Sequence, residues 1–85
     1  MNIDVAVRTA YRERADLLRR GLQPRLFLVG EGVRIALLGA FRTNPCVYVH
    51  LDETGTRLYL LDTRVIMSPE VPRDYIKAFT HVTEF

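Results

Sequence analysis

The side chains best suited to covalent chemistry in this chain are Cys46 and His50, four positions apart in the run Cys46-Val47-Tyr48-Val49-His50-Leu51. A thiol and an imidazole on one side of a strand are the parts of a Cys–His nucleophile pair, or half of a zinc site. On a strand, however, positions four apart lie about 13 Å from each other, too far for a direct hydrogen bond. Tetrahedral zinc would need two more soft ligands, and His81 is the only other histidine. The preferred reading is a small apolar cysteine and a surface histidine, with no catalytic residue, no metal site and no cofactor; a small enzyme using Cys46 and His50 is the least favoured alternative.

A second constellation suits binding. Tyr48, His50, Arg57 and Tyr59 flank the turn Asp52-Glu53-Thr54-Gly55-Thr56 of a β-hairpin, and the register decides whether they meet. A three-residue Glu53-Thr54-Gly55 loop with a glycine bulge pairs His50 with Leu58 and separates the two tyrosines. A two-residue Thr54-Gly55 loop pairs Glu53 with Thr56 and sets Arg57 and Tyr59 beside Tyr48 and His50. Glycine after a type I turn is common, which favours the three-residue loop. Only the other register builds a continuous aromatic and basic patch.

Arginines supply the third candidate. Arg8, Arg12 and Arg19 share one side of a predicted N-terminal helix and could track phosphates or meet an acidic surface. Asp4 and Asp16 flank them and blunt that field. Arg14 projects into the apolar arc of the same helix, either laying its stem on Leu18 or reaching a sheet carboxylate such as Asp62. Gly30-Glu31-Gly32 reads as a strand-to-strand turn. With no Lys-Ser/Thr after it and no helix start behind it, it is not a phosphate loop. The acids Asp52, Glu53, Asp62, Glu70 and Asp74 have no acid/base or metal spacing.

These residues need a frame. Residues 3–20 read as a helix capped by Asn2 or Asp4 and stopped by Gly21 and Pro24. At 100° per residue, Ile3, Val7, Ala10, Tyr11, Leu17 and Leu18 fall on the arc expected to cover a sheet. Strands follow at about 25–29, 33–39, 46–52 and 57–62, with Val65-Ile66-Met67 as an extension of the last. A short helix through 74–79 would dock Ile76, Phe79 and Val82. The expected fold is α+β, a four-stranded antiparallel sheet of two tandem hairpins, covered by an N-terminal helix and a short C-terminal helix.

Composition sets the outer bounds. The 85 residues suffice for a single domain over 1–85, with 48% hydrophobic and 26% charged residues, ordinary for a folded globule. Net charge is +2, and Lys77 is the one lysine among twelve basic residues. That balance is far from the sustained basic field of a dedicated nucleic-acid binder. One cysteine precludes an internal disulfide and suits a reducing cytoplasm. No signal peptide and no membrane span are expected.

A chain this short leaves little room for a pocket of a few hundred Å³ beside its core. The reading that follows is a non-enzymatic protein-interaction module. Its surface is Tyr48, His50, Arg57 and Tyr59 together with Arg8, Arg12 and Arg19, and its partner a protein. Nucleic acid bound by the arginine ridge is the alternative. A homodimer through a sheet face or edge strand would add buried area to a small core. On size alone, small phage- or mobile-element-encoded inhibitors of host complexes, anti-CRISPR proteins among them, are a comparison class. No residue carries such a resemblance.

Overall fold

The structure, a computed structural model, describes residues 1–53 and 55–80, with the backbone alone at position 52. The element order is α1 (Ile3–Arg19), β1 (Leu26–Val29), α2 (Glu31–Ala40), β2 (Val47–Asp52), β3 (Gly55–Leu60), β4 (Thr63–Met67) and β5 (Ile76–Phe79). The five strands form one mixed sheet in the order β2-β3-β4-β1-β5. Only β1 and β4 run parallel; the other neighbours are antiparallel. Both helices lie on one side of it, so the molecule is a two-layer α+β domain.

The first helix is legible from its ends. Asn2 Oδ1 accepts the Asp4 N–H at 2.7 Å. At the other end Gly21 takes φ +74°. Its N–H and that of Leu22 donate to the carbonyls of Leu18 and Leu17 at 3.0 and 2.9 Å, a Schellman closure. The buried stripe is Ala6, Ala10 and Leu17, with Ile3 and Val7 packed beside it. This corrects the expected arc: Tyr11 and Leu18 are exposed. Arg14 is half-buried and forms no ion pair with any described residue. Asp62 is exposed and lines a depression on the opposite side of the sheet, so the Arg14–Asp62 pairing does not form.

The largest correction is residues 31–40, expected as a strand and found as α2. Val33, Leu37 and Ala40 are spaced four and three apart and are all buried, the period of a helix. The same run also alternates at Val33, Ile35 and Leu37, which is why its pattern admits a strand. Ile35, on that alternation, is 53% exposed. Gly30-Glu31-Gly32 therefore starts a helix. A Cβ on Gly30 would overlap the carbonyl oxygens of Pro72 and Arg73. The Gly30 N–H donates to the Tyr75 carbonyl at 2.9 Å and the Val33 N–H to the Arg73 carbonyl at 3.2 Å. Residues 72–75 thus sit on the start of α2, where Glu31 also pairs with Arg73 at 3.6 Å. The helix N-terminus is covered by the chain's own backbone.

The C-terminal helix expected over 74–79 is strand β5. Ile76 and Ala78 are buried while Lys77 is exposed, a two-residue period, and the approach from Pro69 to Asp74 runs through turns in place of a helix. Residues 81–85, including Val82 and His81, lie outside the described residues. The fourth expected strand divides at Leu61-Asp62 into β3 and β4. Both turn residues have positive φ (51° and 60°), as a tight two-residue hairpin requires.

Phe27 and Val29 of β1 point into the helical layer and meet Ala6, Ala10, Leu17, Val33 and Leu37 in one cluster. The cluster extends through Leu58, Leu60, Val47 and Val65, and each fully buried Leu or Phe contributes about 1.5–3 kcal/mol. Among the described residues no helix is long and apolar enough to cross a membrane.

Candidate interaction surface

Strands β2 and β3 pair with Tyr48 opposite Tyr59, His50 opposite Arg57 and Asp52 opposite Gly55. Two residues, 53 and 54, separate the strands. The three-residue bulged loop is thus overturned, and the two-residue loop sits one position earlier than expected. Gly55, at φ +129°, uses its freedom at the loop's exit instead of inside it. Because the side-chain period is two, this register keeps the favourable parity. Tyr48, His50, Arg57 and Tyr59 all stand on the face turned away from the helices, while Val47, Leu58 and Leu60 fill the core.

The rings adjoin. Tyr48 and His50 are 6.4 Å apart between centroids with planes 22° from parallel, and Tyr48 and Tyr59 are 6.0 Å apart at 52°. Tyr48 is 59% exposed. Together with Arg57 and Asp62 they line an open depression of about 390 Å³. Arg64, opposite Tyr59, continues the face onto β4. Farther across, Leu26 and Leu28 point to this side but are buried, and Lys77 sits 5.7 Å from the centre of the Phe79 ring.

Arg8, Arg12 and Arg19 are exposed on α1, in the helical layer, and Arg19 pairs with Asp16 at 3.4 Å. The sheet stands between them and the tyrosine face. The seven residues expected to form one surface therefore form two.

Cys46 precedes β2 and is half-buried. Its N–H donates to Asn44 Oδ1 and its carbonyl accepts from the Leu61 N–H, both at 2.9 Å. Its backbone role is to close the end of the hairpin. Among the described residues no group of three or more His, Cys, Asp or Glu is placed to hold a metal ion.

A second, open cleft, of about 420 Å³, was not foreseen. Its charged lining is Arg34 from α2, Arg57 from β3 and Arg64 from β4. Reading 33–39 as a strand removed Arg34 from this place. Reading 57–67 as one extended strand put Arg57 and Arg64 on a single line instead of side by side. The three-and-four spacing of Val33, Leu37 and Ala40 was the signal that would have found it.

No protein family, characterised protein or solved structure matches this chain.

Proposed function

We propose that this protein is a non-enzymatic binding module whose working surface is the open sheet face of β2 and β3, and that its partner is a protein presenting an acidic patch. The observation that supports this reading is the Tyr48↔Tyr59, His50↔Arg57 register. It gathers two tyrosines, an arginine and a histidine on paired strands, with Tyr59 half-buried and the other three exposed. Tyrosine and arginine are the residue types that most often dominate binding energy, and rigid strands lower the entropy lost on docking. Arg57, Arg64 and Lys77 against Asp62 give the described part of this face a positive excess, which selects an acidic counterpart.

The test is capture of partners by the tagged protein and by its Tyr48→Ala and Arg57→Gln variants, with and without nuclease. A stoichiometric protein retained after nuclease, and lost by both folded variants, supports the reading. Partners indifferent to both substitutions would remove it. Loss of a purified partner's activity on binding would further make the module an inhibitor.

A second reading rests on the neighbouring rings: bases of a single-stranded nucleic acid stack on adjacent exposed aromatics flanked by arginine. Its affinity would fall steeply with salt, whereas that of an interface with an apolar centre falls little.

A further inference from the structure

The sheet has two outer strands, β2 and β5. Lys77 stands inside the short β5, a charge of the kind that keeps other strands off an edge. Strand β2 has no such guard. Its run Val47-Tyr48-Val49-His50-Leu51 contains no lysine, proline or glycine and pairs with β3 without a bulge.

The backbone groups that β2 offers outward follow from its ladder. The Cys46 carbonyl accepts the Leu61 N–H at 2.9 Å, and bonded pairs alternate from there. Tyr48, His50 and Asp52 therefore bond to Tyr59, Arg57 and Gly55, while Val47, Val49 and Leu51 turn their N–H and carbonyl groups away from β3. At Val47 the chain covers this edge itself, because that N–H donates to the Asn44 carbonyl at 3.1 Å. At Val49 and Leu51 no backbone hydrogen bond from any described residue reaches the outward groups.

This short open stretch matches itself. A two-fold axis at His50 sets Val49 of one copy opposite Leu51 of the other, and each such pair can exchange both N–H to carbonyl bonds. An axis at Val49 would instead bring Leu51 onto Val47, whose outer side Asn44 already occupies. The side chains favour the same register. Leu51, 74% exposed, is the most exposed large apolar residue, and Val49 is half-buried and packs on the core. Both share the side of Val47, the helical side, so the pairing lays Leu51 of each copy on Val49 of the other.

We propose that β2 pairs with β2 of a second copy, antiparallel about a two-fold axis at His50, so that the two sheets become one. Because β5 is not equivalent to β2, the assembly closes at two copies. A ladder this short belongs to the weak end of protein interfaces, so the dimer fills only at high concentration. It does not rest on the partner proposed for the open face, although it sets two such faces side by side.

The experiment is sedimentation of the full chain from about 10 μM to about 1 mM, with amide hydrogen exchange at both ends of that range. A monomer–dimer equilibrium is expected. The Val49 and Leu51 amides should exchange about fivefold more slowly in the concentrated sample, whereas those of Tyr48 and His50, bonded to β3, stay protected in both. His50 is exposed, so His50→Glu and His50→Lys should both fold. Each opposes like charges at the axis and should weaken self-association about fivefold, and mixing the two variants should restore it. A chain still monomeric at about 1 mM overturns the proposal and leaves the edge to a strand of another protein. Dimers without selective protection of Val49 and Leu51, or indifferent to both charge substitutions, overturn it in favour of another face. Growth beyond two copies overturns the closed two-fold form.

Discussion

Gly30→Ala tests the way the two layers are locked together. Gly30 has φ −83° and ψ 170°, a conformation open to any residue, so no backbone strain is at issue. What excludes a side chain is proximity: an added Cβ would lie 2.5 Å from the Arg73 carbonyl oxygen and overlap that of Pro72. These are backbone atoms and cannot rotate aside. Either the strap 72–75 lifts or α2 shifts. Overpacking of this kind costs about 1–3 kcal/mol. Lifting the strap also strains the Gly30–Tyr75 and Val33–Arg73 hydrogen bonds, each contributing about 1 kcal/mol. The expected loss is about 3 kcal/mol, a large part of the total stability of so small a domain.

Gly39→Ala is the control. It lies in the same helix, nothing comes within 4 Å of its added Cβ, and alanine should stabilise by about 0.5–1 kcal/mol. Urea unfolding at constant temperature reads both variants on one scale. A Gly30→Ala midpoint within about 0.5 kcal/mol of the parent would refute the packing of the strap on the helix start.

Further substitutions address other parts of the molecule. Asp62→Gly should raise stability by up to about 1 kcal/mol in a melting experiment, because Asp62 holds φ 60° in a turn where glycine is unstrained. Leu37→Ala empties a fully buried position between helix and sheet and should cost about 2–5 kcal/mol, whereas Ile35→Ser, 53% exposed in the same helix, should change stability by less than about 0.5 kcal/mol. Denaturation of the two side by side would overturn the helical assignment of 31–40 if their ranks were reversed. Arg14→Leu should leave the unfolding midpoint within about 0.5 kcal/mol, since no described carboxylate is left behind; a loss of about 3 kcal/mol would reveal a buried partner. Tyr48→Ala should keep the parent's circular dichroism and melting temperature while abolishing partner capture, its ring being mostly in solvent.

The sequence by itself determined what local chemistry can specify. Asn2 caps and Gly21 ends α1 because an orphan N–H and a left-handed residue are satisfied by neighbours a few positions away. The β2–β3 hairpin was legible because its two alternating apolar runs stand on either side of a turn-forming segment. The four residues of the aromatic face could be named from that hairpin. Their meeting could not, because a one-residue shift in loop length reverses the face and both loops suited the same five residues.

Tertiary structure decided the rest. Val33-Arg34-Ile35-Ala36-Leu37-Leu38 suits either a strand or a helix, and the choice went to the form that sets Val33, Leu37 and Ala40 over the sheet. Ile76-Lys77-Ala78-Phe79 became a strand because β1 offered its free edge, with Val29 opposite Ile76 and Leu26 opposite Phe79. The cleft lined by Arg34, Arg57 and Arg64 exists only because α2 packs near β3 and β4. No spacing along the chain encodes it, since Arg34 comes from a helix and Arg57 and Arg64 from two neighbouring strands of the sheet. Local hydrogen bonding and periodicity act over a few residues; neighbours across layers are chosen by whichever arrangement buries the most apolar surface together.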